Sequence, residues 1–133
     1  MKANQISISI VDDDASLRRA VRRLVKSHGF AVETFASAED FLASSRLRVT
    51  ACLVLDVHMP GLSGLQLQSR LLEGGHHIPI IFITAHADDR MRAEALTAGA
   101  VCYLFKPFQE TELLNCISFA LRGSNSLTVP HYH

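Results

Sequence analysis

Polar side chains stand where the apolar runs of this 133-residue chain stop. Asp12, Asp13 and Asp14 follow the run containing Ile6, Ile8, Ile10 and Val11. Asp56 follows Ala51-Cys52-Leu53-Val54-Leu55, Thr84 follows Ile80-Ile81-Phe82-Ile83, and Lys106 follows Val101 to Phe105. Clustered carboxylates repel one another unless a cation neutralises them. Oxygen-only ligands suit Mg²⁺, which binds through one or two carboxylates together with phosphate oxygens. A lysine beside such a site supplies a point charge for a phosphoryl group, and a threonine hydroxyl supplies a hydrogen bond. A carboxylate there can also be the nucleophile that accepts phosphoryl as an aspartyl phosphate. Asp56 suits that role best, because it ends a wholly apolar run and precedes the Gly/Pro loop VHMPGLSG. Asp14, just ahead of Ala15-Ser16, reads instead as a helix N-cap.

These groups meet only if the elements carrying them are arranged to converge. Ala15 to His28 has Leu17, Ala20, Leu24 and Val25 at helical spacing, and Gly29 ends it. Ala31 to Phe35 reads as a strand, and Ser37 caps a short helix with Phe41 and Leu42. The runs 51–55 and 80–83 read as strands buried on both faces. Ser63 opens a helix containing Leu65, Leu67, Leu71 and Leu72, which Gly74-Gly75 breaks. Asp88 to Ala98 is a helix closed by Gly99, and Gln109 or Thr111 opens a last one. The expected fold is therefore α/β: a five-stranded parallel sheet with right-handed crossovers and helices on both faces. In such sheets ligands gather at the carboxyl ends of the strands, where the polar groups stand. Residues 1–122 are expected to form one domain, and 123–133 a flexible tail or a cut linker.

Composition excludes several classes. Thirteen Lys+Arg balance thirteen Asp+Glu, so the basic excess of a free-standing nucleic-acid binder is missing. Trp is absent, which disfavours stacking platforms for single strands. No apolar run is long enough to span a bilayer, and the N-terminus lacks a secretory h-region, so a cytoplasmic location without membrane contact is expected. The three cysteines, Cys52, Cys102 and Cys116, have no zinc spacing and read as buried free thiols.

With those residues in place, the chain resembles the receiver (CheY-like) domain of two-component response regulators. The motifs IVDDD, LDVHMPGLSG, IIFITAHAD and YLFKPF carry the resemblance over roughly residues 6–122. Their phrasing is most like the receivers of FixJ-type transcriptional regulators. The resemblance implies a flavodoxin-like (βα)5 three-layer sandwich. It implies that Asp56 accepts a phosphoryl group from a sensor histidine kinase, and that Asp12, Asp13, Asp56 and the His58 backbone carbonyl hold Mg²⁺ (or Mn²⁺). Lys106 would bind the phosphoryl oxygens, Thr84 would turn toward them, Tyr103 would follow as a switching aromatic, and Pro107 would follow a cis peptide bond. Such a domain is a phosphoacceptor that dephosphorylates itself, not a turnover enzyme on external substrates. Dimerisation on phosphorylation would use the helix 4/strand 5 face around Met91, Ala95, Val101 and Tyr103. The kinase would dock over the first helix and the last loop. Leu17, Ala20, Pro107 and Phe108 would be its apolar contacts, with Arg18, Arg19 and Arg22 steering an acidic partner.

The histidines divide. His58 and His86 each lie two residues beyond a site residue, and are candidates for tuning the rate of dephosphorylation. His76-His77 read as solvated, and His131 and His133 form a weak HxH. Other functions fit less well. A haloacid-dehalogenase-like phosphatase wants DxD after its first strand, whereas here Asp56 follows the third and position 58 is His. A flavin binder wants a phosphate-cradling loop where three carboxylates stand. A pseudo-receiver that only binds partners would not need the complete Asp, Thr and Lys set.

Overall fold

A computed structural model describes residues 5–122. The strands are β1 (Ser7–Val11), β2 (Ala31–Phe35), β3 (Cys52–Asp56), β4 (Ile80–Thr84) and β5 (Cys102–Phe105). They alternate with α1 (Ala15–Lys26), α2 (Ala38–Leu42), α3 (Gly64–Glu73), α4 (Asp89–Thr97) and α5 (Glu110–Arg122). A single 3-10 turn, Ser45–Arg48, precedes β3. All strand pairs are parallel, in the order β2-β1-β3-β4-β5. The chain thus steps from β1 to β2 on one side and returns to β3 on the other. Beyond the carboxyl ends of β1 and β3 this reversal leaves a crevice, the usual ligand position in an open parallel sheet.

Period-2 alternation divides the sheet between two apolar layers. Ile8, Ile10, Val54, Ile81, Ile83 and Leu104 face α1 and α5. Leu53, Leu55, Phe82 and Tyr103 face α2, α3 and α4, where Phe41, Leu67 and Leu71 meet them. β3 and β4 are buried along their whole length, which explains their unbroken apolar runs. The helix starts follow local capping chemistry. The Asp14 carboxylate accepts from the Ser16 and Leu17 amides, and the Ser37 hydroxyl from the Asp40 amide. Ser63 and Gln66 form a reciprocal capping box at α3, and Asp88 caps α4. At α5 the Leu113 amide bonds the Gln109 carbonyl, which places the start at Gln109 rather than Thr111.

Two expectations are corrected. Cys102 and Cys116 are not free thiols: they form a disulfide between β5 and α5, with Cα atoms 6.2 Å apart. Both side chains lie in the layer beneath α5, a juxtaposition set by the fold and invisible in their spacing. Cys52 alone is free, and burial pushes its thiol up to about 12. The second correction concerns the α4/β5 face. Ala95 and Tyr103 are fully buried in the apolar layer between the sheet and α4; of the four residues expected there, Met91 and Val101 are the two partly exposed. No described helix is long and apolar enough to cross a membrane. His131, His133 and the 123–133 segment lie outside the described residues.

Candidate functional site

The crevice gathers the residues that the sequence scattered. Asp12 follows β1 and is fully buried, Asp56 ends β3 and is 4% exposed, and Asp13 is exposed beside them. One carboxylate oxygen from each of Asp12, Asp13 and Asp56 lies within 4.8 Å of the others. The Lys106 Nζ, carried just beyond β5, lies 3.0 Å from Asp12 Oδ2 and 3.8 Å from Asp56 Oδ1. The peptide bond between Lys106 and Pro107 is cis, and the Lys106 amide donates to the Thr84 carbonyl at 2.7 Å.

One ammonium against three carboxylates leaves an excess of negative charge in a mostly buried place. Burial, and then the neighbouring Asp12 charge, push the Asp56 carboxyl up to about 7, although Lys106 and the His58 amide pull it down. The donor set, all oxygen and short of positive charge, fits a divalent cation of the Mg²⁺ type. Asp14 takes no part, since its carboxylate is used as the α1 cap.

Thr84 is fully buried, and its hydroxyl accepts from the His86 amide at 3.1 Å. The His58 amide likewise donates to Asp56 Oδ1 at 3.3 Å. His58 and His86, both exposed, meet edge to face with ring centroids 4.7 Å apart. The two histidines proposed from their spacing are therefore neighbours at the mouth of the site. Tyr103 points into the core against Phe82 and Phe105, and its hydroxyl is buried without a hydrogen-bond partner. Burial and the charge of Asp88 raise its phenol above the ordinary value.

Three supporting residues were missed in the sequence. Gly64 begins α3 directly under the site, where a Cβ would collide with the Asp56 carbonyl. Gly61 has φ +75° in the loop after β3, and the Glu39 carboxylate accepts from the next amide, Leu62, at 2.9 Å. That bond holds the Glu39 carboxyl below the usual range. The third is Arg18, which turns back toward the site: its Nη1 donates to the Asp12 carbonyl at 2.6 Å. One of its guanidinium donors is thus used within the chain, at a backbone carbonyl. The MPGLSG motif signalled both glycines, but nothing local distinguished Arg18 from Arg19 or Arg22.

The chain is similar to known proteins in sequence and in fold. Residues 8–118 match the family described as the response regulator receiver domain. Nodulation protein W of Bradyrhizobium diazoefficiens is 48% identical over 110 residues, covering 83% of this chain and 48% of that protein. Response regulator protein TodT of Pseudomonas putida is 48% identical over 115 residues, covering 86% of this chain and 51% of that protein. The chain spans about half the length of these curated relatives. The crystal structure of FixJ-N superposes with a TM-score of 0.81 at 36% identity, covering 93% of this chain and 99% of that one.

Proposed function

The chain belongs to the response regulator receiver family, and from that premise we propose that Asp56 is its phosphoacceptor, loaded by a sensor histidine kinase. The convergence of Asp12, Asp13, Asp56 and Lys106 within a few ångströms carries this reading. An ionised Asp56 oxygen attacks phosphorus; the phosphorus–nitrogen bond of the donor phosphohistidine breaks as the acyl phosphate bond forms. Lys106, already between Asp12 and Asp56, takes a phosphoryl oxygen. The Thr84 hydroxyl leaves its contact with the His86 backbone to donate a second hydrogen bond. A divalent ion held by Asp12, Asp13, Asp56 and the His58 carbonyl would neutralise phosphoryl charge and favour ionised Asp56. His58 and His86, in contact at the mouth, govern the approach of the water that hydrolyses the acyl phosphate. Alanine at either is expected to change dephosphorylation several-fold without preventing phosphorylation; unchanged decay in both variants would remove them from that role.

The added charge of about −2 alters the surface around α4 and β5. Dimerisation through that face, with Met91 and Val101 at its surface, would pass the signal to a transcriptional output in the cytoplasm. The kinase docks over α1 and the loop after β5, with Arg19 and Arg22 exposed for steering. Binding of beryllofluoride with Mg²⁺ tests the site: the wild type should bind it and Asp56→Asn should not. Equal binding by both would place the chemistry elsewhere.

A further inference from the structure

We propose that Arg18 is a positioning residue for the divalent-cation site, holding the Asp12 carbonyl so that the Asp12-Asp13 turn keeps its ligand geometry. This rests on the acidic triad being that site. Long side chains in a helix lean toward its N-terminus, so an arginine in the first turns of α1 can reach six residues back. Arg19, one position on, is exposed and reaches only the Ser16 hydroxyl at 3.5 Å.

Asp12 is held at four atoms. Its amide donates to the Phe35 carbonyl at 3.1 Å, and its carbonyl accepts from Arg18 at 2.6 Å. Its Oδ1 accepts from the Asp14 amide at 2.8 Å, and its Oδ2 from Lys106 at 3.0 Å. The last two bonds use the carboxylate oxygens that a cation needs, so they compete with it. The Arg18 bond uses only the carbonyl and survives loading. Among the described residues it is also the one bond directed at the peptide linking Asp12 to Asp13, so it fixes the spacing of two ligands with a single donor. Partners of this kind orient ligands without touching the metal.

The charge of Arg18 makes the proposal discriminating. A guanidinium near the site repels a divalent cation, so charge alone predicts tighter Mg²⁺ binding when it is removed. Positioning predicts weaker binding. The test is calorimetric titration of the full chain with Mg²⁺ alone, for wild type, Arg18→Met, Arg18→Lys and Arg23→Met. Arg18→Met should raise the Mg²⁺ Kd about ten-fold, Arg18→Lys about three-fold, and Arg23→Met should leave it unchanged. In the metal-free protein the Asp14 amide, bonded to Asp12 Oδ1, should exchange faster in Arg18→Met. Phosphorylation by acetyl phosphate should return to the wild-type extent once Mg²⁺ saturates. A Kd for Arg18→Met equal to or tighter than wild type would overturn the proposal, as would equal weakening by Arg23→Met. If Arg18→Met does not fold, an unchanged Kd in Arg18→Lys overturns it. Absence of Mg²⁺ binding by the wild type would instead refute the triad as the cation site.

Discussion

At the scale of single residues, the site is balanced on the protonation of Asp56. Its folded value of about 7 stands above the ordinary 3.8, because burial and Asp12 disfavour the charge. The folded protein therefore binds more protons than the unfolded one between about pH 4 and 7. Without metal, the contribution of this group to stability is present below the lower value and is lost as pH rises through the upper. Asn at this position cannot ionise, so Asp56→Asn should match the wild type near pH 4 and exceed it at pH 8 in chelator. Thermal unfolding at both pH values checks this, and a difference independent of pH would contradict it. Tyr103 offers a second check. Its hydroxyl is buried and unpaired, and an unsatisfied buried polar group is costly. Tyr103→Phe should raise the stability of the unphosphorylated protein by about 1 kcal/mol, read from urea denaturation; a loss would show that the hydroxyl has a role the core does not reveal.

At the scale of elements, the loop between β3 and α3 sets where Asp56 points. Gly64 lets α3 begin against the Asp56 carbonyl, and its amide donates to the Val57 carbonyl at 2.9 Å. Gly64→Ala should destabilise the domain by about 1–3 kcal/mol and slow phosphorylation by a small donor; wild-type values for both would show that the helix start shifts freely. Strands, helices and caps were legible because each follows a local rule: Asp14, Ser37 and Ser63 cap where their spacing says, and β3 and β4 announce double burial. The convergence of Asp12, Asp13, Asp56 and Lys106 was legible because they sit at strand ends, which a parallel sheet aligns. What escaped depends on contacts between distant elements. Cys102 and Cys116 meet only when α5 packs on β5, and the inward turn of Ala95 and Tyr103 depends on the layer behind α4. Arg18 looked like its neighbours until the folded chain brought the Asp12 carbonyl within its reach.

At the scale of the molecule, balanced composition conceals a separation of charge. The carboxylates gather at one end of the sheet, while α1 carries Arg19, Arg22, Arg23 and Lys26 on an exposed face. Double charge reversal, Arg19→Glu with Arg22→Glu, should slow transfer from a kinase, most strongly at low salt, and leave acetyl phosphate labelling unchanged. Equal slowing with both donors would place these arginines in the chemistry instead of the docking. The central claim is that the strand ends of this sheet form a cation-assisted phosphoacceptor at Asp56. Its most direct test is mass spectrometry after incubation with acetyl phosphate, with Mg²⁺ or with chelator, followed by mapping of the modified residue. The account predicts one phosphoryl group per chain, on Asp56, only with Mg²⁺, and none in Asp56→Asn. Modification that persists in Asp56→Asn, or that forms equally in chelator, would contradict it.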